Sequence, residues 1–312
     1  MEQGIRPEVA MHERSILRRY RLIVGCLMVL FLGAQAGCTG ERSTDLAARF
    51  ARGDVNRGKY LTAIFGCQEC HTVRQADDAH LDCKLLFAGG VPFPVEEKGL
   101  VYSANVTISS QYPEHVLDGI IRGRLAFKFQ MPTHVYNEMA ADDMRDIIAY
   151  LKTLQPLLHT LPDNSLPPEF ILPPPDSPVF IPEHEPRAGT LQRGAYLSRM
   201  TLCQDCHSPH NATGTYDQAR LFGGGGYKVR LPDGRLLIPP NLTPDPKDGL
   251  GAWSDPDIIR AIRRGVARDG RQLDHVMPYL TAFHDMTDQD AADIVCFLRS
   301  LKSVSGDEAP RE

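Results

Sequence analysis

A five-residue spelling occurs twice, Cys67-Gln68-Glu69-Cys70-His71 and Cys203-Gln204-Asp205-Cys206-His207, and it restricts the fold more than any other feature of the chain. Cys-x-x-Cys-His is the attachment signature of a c-type haem. The two thiols add across the porphyrin vinyl groups, and the adjacent His becomes the proximal iron ligand. That His decides the reading, because a Cys-x-x-Cys pair alone reads equally as a zinc half-site or a thioredoxin-like redox pair. Random placement of 8 Cys and 11 His among 312 residues would produce about 0.007 copies. A zinc ribbon would have to join pairs ~130 residues apart, far outside the usual ligand spacing. Cys67, Cys70, Cys203 and Cys206 are therefore the expected covalent anchors of two haems, with His71 and His207 on the proximal side of each iron.

The spelling belongs to a longer repeat. Arg57-Gly58 and Tyr60-Leu61 precede the first motif as Arg193-Gly194 and Tyr196-Leu197 precede the second. Phe87-Ala88-Gly89-Gly90 answers Phe222-Gly223-Gly224-Gly225, and Asn105-Val106-Thr107 answers Asn241-Leu242-Thr243. Each copy then has a Met-Pro pair, Met131-Pro132 and Met277-Pro278. Each closes on a stretch of helical period: Met144, Ile147, Ile148, Leu151 and Leu154 in one, Ala291, Ile294, Val295, Leu298 and Leu301 in the other. Thr287 and Asp290 supply an N-cap signal. Further helices are expected before each haem motif and around Pro113 and Pro256. Small hairpins are expected over 91–95 with 101–103 and 227–231 with 235–238, the second turning at Asp233-Gly234.

The expected architecture is mainly α with few short strands: two tandem domains, 45–155 and 188–304, joined by a Pro-rich linker, 156–187. Three of the linker's prolines are consecutive, Pro173 to Pro175, so it should run extended and act as a strap between the domains. Each domain has only a small core of its own, which a buried macrocycle would enlarge.

Residues 1–37 read as a signal peptide. Arg14, Arg18, Arg19 and Arg21 form a basic region, and Leu22 to Leu32 is an apolar run too short to span a bilayer comfortably. Met11 would open a more ordinary basic region. Ala34-Gln35-Ala36 fits ordinary secretory cleavage. Ala36-Gly37-Cys38 resembles the end of a bacterial lipobox, which would put a lipid on Cys38, although Gln35 departs from the usual aliphatic residue. An uncleaved anchor is the third possibility, and no other stretch is long and apolar enough to span. All three place the folded part in the periplasm or outside the cytoplasmic membrane, where c-type haem is attached. The formal net charge of −5 argues against nucleic acid as a partner and favours basic patches on a protein partner.

The sixth iron position separates function classes. A thioether there raises the potential and closes the iron, which suits electron transfer; an open position suits peroxide or oxygen chemistry. Met131 and Met277 are the distal candidates, each followed by a proline that stiffens the loop. Met139, Met144, Met200 and Met286 are competitors, of which Met139, Met144 and Met286 read as packing; His134, His275 and His284 could ligate instead but read as solvated loop residues. Asn105, Thr107, Asn241 and Thr243 read equally as hydrogen-bond donors to haem propionates and as turn formers. Trp253 is either a propionate donor or core. Arg122 and Arg264 read as a solvated helix face rather than propionate partners. Cys296 reads as packing near the buried face of the last helix, and Cys83 has no counterpart in the second copy.

With these residues the chain resembles a class I c-type cytochrome fold written twice. It is similar to the cytochrome c subunits of membrane-bound bacterial alcohol and gluconate dehydrogenases. The second copy carries the likeness best, through Asn241-Leu242-Thr243-Pro244-Asp245, Gly249-Leu250-Gly251-Ala252-Trp253-Ser254, Asp257, Arg268-Asp269-Gly270-Arg271 and Met277-Pro278-Tyr279. The first copy keeps Asn105-Val106-Thr107 but lacks the Gly-x-Trp run. The resemblance implies His/Met ligation of both irons and an electron path from a dehydrogenase donor towards quinone or an oxidase. Two haem motifs stand where those subunits typically have three. Ligand logic ranks an electron carrier without substrate chemistry first and a dihaem cytochrome c peroxidase-type enzyme second. A dihaem enzyme of small sulfur compounds, using Cys83 or Lys128 as an unusual ligand, comes third.

Overall fold

The structure is a computed structural model describing residues 53–95, 98–125, 131–167, 170, 180–211, 215–231 and 233–305. The signal region, Cys38, Lys128 and the triple proline lie outside the described residues. The chain separates into two units, residues 1–48 and 49–312, and everything described belongs to the second.

Within that unit one order of elements runs twice. Helix α1 (Val55–Ile64) leads into the short helix α2 (Cys67–His71), then hairpin β1 (Pro92–Val95) and β2 (Gly99–Tyr102), then α3 (Glu114–Ile121), α4 (Thr133–Tyr136) and α5 (Ala141–Leu151). The second half repeats this with α6 (Leu191–Met200), α7 (Cys203–His207), β3 (Val229–Arg230), β4 (Leu236–Leu237), α8 (Asp255–Arg264) and α9 (Asp288–Ser300). Each hairpin is an antiparallel two-stranded sheet. The chain is mainly helical, as the spacing of its apolar residues demanded.

Local chemistry sets the helix ends. Asp54 caps α1 by accepting from the Asn56 and Arg57 amides, and Thr190 caps α6 through the Arg193 amide. Ser254 and Asp257 form a reciprocal capping box on α8, with Pro256 in its first turn. Thr287 caps α9 through the Asp290 amide, as expected.

The first and last helices of each half cross at a glycine. A Cβ on Gly58 would lie 1.8 Å from the Asp146 carbonyl oxygen, and one on Gly194 would lie 2.0 Å from that of Asp293. Only glycine admits so close an approach. The crossing buries Leu61, Ile64, Ile147 and Ile148 in one half and Leu197, Ile294, Val295 and Leu298 in the other. The buried residues of both halves form one contiguous cluster. Met139, Met144 and Met286, each 1% exposed, belong to it, as their packing assignment required, and so does Met200, also 1% exposed.

The connection between the halves lies along the surface in its described parts. Leu157 and Asn164–Ser165 bond to the first half, and Pro182–Glu185 lies on the N-terminus of α5, where the Ala141 and Asp142 amides donate to the Pro182 and Glu183 carbonyls. Among the described residues no helix is long and apolar enough to cross a membrane.

Candidate functional site

Each Cys-x-x-Cys-His spelling is a single helical turn with one residue in left-handed conformation in front, Gly66 at φ 77° and Leu202 at φ 61°. One turn brings the first Cys, the second Cys and the His to one side. The four thiols form no disulfide. Burial pushes the Cys67 thiol up to about 12 and the Cys70 thiol up to about 11. Among the described residues no three His, Cys, Asp or Glu side chains converge to hold a metal ion. The donor set fits a porphyrin joined through thioethers and not a zinc site.

The two imidazoles are held alike. His71 Nδ1 lies 2.8 Å from the Ala104 carbonyl oxygen, and His207 Nδ1 lies 2.8 Å from that of Pro240. A carbonyl only accepts, so Nδ1 carries the proton and Nε2 keeps its lone pair. Burial lowers the proton affinity of both rings. A neutral, oriented imidazole with a free Nε2 is what an iron ligand must be.

The following loop is locked to the motif by the same bonds in both halves. The Gly89 and Gly224 amides donate to the His71 and His207 carbonyls at 2.8 Å. The Phe87 and Phe222 amides donate to the Thr72 and Ser208 hydroxyls at 3.0 and 2.9 Å. These close turns explain why the aromatic-glycine spelling is repeated.

Met131 and Met277 are half-buried, unlike the four core methionines. Each stands just before a Pro-led turn. Arg122 braces the first of these loops. It is 2% exposed and donates to the Asn137 and Met139 carbonyls at 3.0 and 2.9 Å and to Asp118 at 2.8 Å. Its assignment to a solvated face is thus corrected, because these two carbonyls, that of Tyr136 at 3.4 Å and a carboxylate replace its water. Arg264, its counterpart, is exposed as expected.

Asn105 and Asn241 prove to be structural. Asn105 Oδ1 accepts from the Thr107 amide and hydroxyl at 3.0 and 2.6 Å, and its Nδ2 donates to the Leu157 carbonyl at 2.9 Å. Asn241 does the same with Thr243 at 2.8 and 2.7 Å and with the Val304 carbonyl at 2.6 Å. Each amide spends one of its two N–H groups in pinning the chain that leaves the last helix, so both residues form turns, as one of their two readings had it. Trp253 is half-buried against the core cluster. Cys296 is exposed, which corrects its assignment as packing: it lies one position past the buried Ile294–Val295 pair. His134, His275 and His284 lie near acidic residues, with His134 Nε2 3.0 Å from Asp205.

The seam between the halves was not anticipated. Tyr60 donates to Asp290 at 2.5 Å and accepts from the Thr287 amide at 3.2 Å. Tyr196 donates to Asp143 at 2.6 Å and accepts from the Ala140 amide at 3.1 Å. Arg57 pairs with Asp143 and Asp146 at 2.5 and 2.6 Å, while Arg193 pairs with Asp290 at 3.0 Å. Glu185, from the connecting segment, accepts from both arginines. The seam also brings each attachment turn to the other half's distal loop, since Gln68 donates to the Thr281 carbonyl and Asp205 faces His134. The repeated Arg-Gly-x-Tyr-Leu spelling was the signal for this, but nothing in it told which carboxylates it met.

Comparison with known proteins agrees with this geometry. Residues 191–302 match the cytochrome c family. That match covers about a third of the chain and contains the second Cys-x-x-Cys-His turn. The chain is 26% identical over 289 residues to the fructose dehydrogenase cytochrome subunit of Gluconobacter japonicus, covering 82% of this chain and 54% of that protein. It is 27% identical over 279 residues to the gluconate 2-dehydrogenase cytochrome c subunit of Pantoea cypripedii, covering 79% and 59%. A diheme cytochrome c-type protein of Cereibacter sphaeroides is 30% identical over 124 residues, 40% of each chain. This chain spans little more than half the length of the first two. It resembles the cytochrome c subunits of bacterial dehydrogenases, and the cofactor of the family is covalently bound haem c.

Proposed function

We propose that the chain is an exported dihaem c-type cytochrome that carries electrons between a periplasmic or membrane dehydrogenase and the respiratory chain. Cys67 and Cys70 hold one haem and Cys203 and Cys206 the other; His71 and Met131 ligate the first iron, His207 and Met277 the second. The haem supplies one-electron redox chemistry. The protein's own residues fix the orientation of each imidazole and bury it in part, which suits one-electron transfer. The reading rests on the equal fixing of His71 and His207 through Nδ1 at 2.8 Å. Under it, 45–155 and 188–304 are the two cytochrome domains and 156–187 the strap between them. Residues 1–37 are removed on export, and a lipid on Cys38 keeps the protein at the membrane.

The test is haem stoichiometry and spectrum. Two covalently bound haems per chain are expected, both showing the long-wavelength sulfur-to-iron band when oxidised. Met131→Ala and Met277→Ala should each abolish that band at one haem and lower one potential. Peroxide turnover by the unmodified protein would favour a dihaem peroxidase instead. A membrane-bound fraction labelled at Cys38 by a fatty-acid probe would establish the anchor.

A further inference from the structure

Each hairpin leaves one edge free of its own partner strand. In the first half the connecting segment takes that edge. The Leu100 amide donates to Ser165 Oγ at 2.7 Å, the Tyr102 amide to Asn164 Oδ1 at 2.8 Å, and the Ser165 amide donates back to the Leu100 carbonyl at 2.9 Å. An open strand edge pairs readily with an extended chain, and here that chain is part of the same protein.

The second hairpin has the same register. Val229 pairs with Leu237 and Arg230 with Leu236, as Phe93 pairs with Val101 and Pro94 with Leu100. The Leu231 amide donates to the Arg235 carbonyl at 2.9 Å. Antiparallel pairs alternate between bonded and non-bonded. The bonded 231–235 pair therefore makes 230–236 non-bonded and turns the Leu236 N–H and C=O outward. Leu236 is 47% exposed, and no described residue bonds its N–H or C=O; the nearest polar contact is Arg230 Nη1, which donates to the Gly234 carbonyl at 3.1 Å. The hairpin is also basic: Lys228, Arg230 and Arg235 are exposed, and its acid, Asp233, is held by Arg235 at 2.7 Å. Its base packs on the Cys203–His207 turn, since a Cβ on Gly226, just before β3, would lie 2.3 Å from the Cys206 carbonyl oxygen.

We propose that the outer edge of β4 is a docking strand for an extended, acidic segment of a partner protein, paired at Leu236 and steered by Lys228 and Arg230. The first half shows the mode of pairing. The positive hairpin on a chain of net charge −5 sets the sign of the partner. Docking beside Cys206 would put that partner next to the second haem. That use rests on the carrier reading, whereas the binding does not.

The test uses the full, haem-loaded chain and two fluorescent peptides. One has the connecting sequence of residues 157–167; the other carries His159→Glu and Thr160→Glu. The acidic peptide should bind about tenfold tighter, with affinity that falls as salt is added. Leu236→Pro deletes the outward N–H and spares the ladder, and should weaken binding about fivefold. Lys228→Glu with Arg230→Glu should abolish the preference for the acidic peptide. In hydrogen exchange the Leu100 and Tyr102 amides should be protected in the free protein, and Leu236 only with peptide. Haem count and spectrum, measured on every variant, report separately on the carrier reading. Equal binding of the two peptides, or no protection of Leu236, overturns the proposal. So does protection of Leu236 in the free protein: if ending the chain at Ser305 removes it, the chain's own tail is the occupant, and if it grows with concentration, a second copy is.

Discussion

The phenol of Tyr60 donates to the carboxylate of Asp290 across the seam at 2.5 Å. The same bond runs the other way from Tyr196 to Asp143 at 2.6 Å. Each phenol also accepts a backbone amide at the start of the other half's last helix, so one hydroxyl bonds a carboxylate and an amide at once. Tyr60→Phe and Tyr196→Phe should each cost about 1–2 kcal/mol. Because Glu185 joins the two networks, the double variant should depart from additivity by about 0.5 kcal/mol or more. Urea denaturation of the four proteins measures this, and strict additivity would mean that the two networks act alone.

Asp143 sets a pH dependence. Its side chain is fully buried. Burial pushes the carboxyl up to about 6; Arg57 pulls it down and Glu185 pushes it up further. The unfolded chain releases this proton at about pH 4. Between those values the folded state binds more protons than the unfolded one. The contribution of this group is therefore fully present below about pH 4 and lost as pH rises through about 6. Relative to Asp143→Asn, the unmodified protein should lose up to about 3 kcal/mol over that window. Denaturation curves of the two proteins that stay parallel from pH 4 to 6 would reject the assignment.

Gly58→Ala and Gly194→Ala test the helix crossings. A methyl group 1.8 or 2.0 Å from a carbonyl oxygen must force α1 from α5, or α6 from α9. A loss of about 3 kcal/mol or more is expected in each, at the upper end of overpacking costs. Thermal unfolding measures it. A loss below about 1 kcal/mol would show that the helices can slide apart cheaply.

Asn105→Ala and Asn241→Ala separate a structural from a haem-binding role. Each removes an Asn–Thr turn and a tie to the chain leaving the last helix, so a destabilisation of about 1–2 kcal/mol is expected. Redox potentials should not move. A potential shift without loss of stability would restore the propionate reading.

The two Cys-x-x-Cys-His turns and the terminal helices were legible in the sequence because their determinants are local. Five consecutive residues suffice for the covalent motif, and a period of 3.6 residues suffices for an amphipathic helix. Asn105 and Arg122 were ambiguous for the opposite reason. Whether an amide meets a propionate or the Leu157 carbonyl, and whether a guanidinium meets water or the Met139 carbonyl, depends on segments that arrive from elsewhere in the chain. Cys296 was misplaced because a helix face drifts, and one residue moved it from the buried stripe to the exposed one.

The sequence by itself determined that two like units each carry a Cys-x-x-Cys-His turn, since the chemistry of that turn lies within its own bonds. Only the tertiary structure decided how the units meet. Tyr60 finds Asp290, and Glu185 finds both Arg57 and Arg193, across separations of up to 230 residues. A buried charge chooses its partner by where the folded backbone delivers it, and no spacing in the chain encodes that delivery.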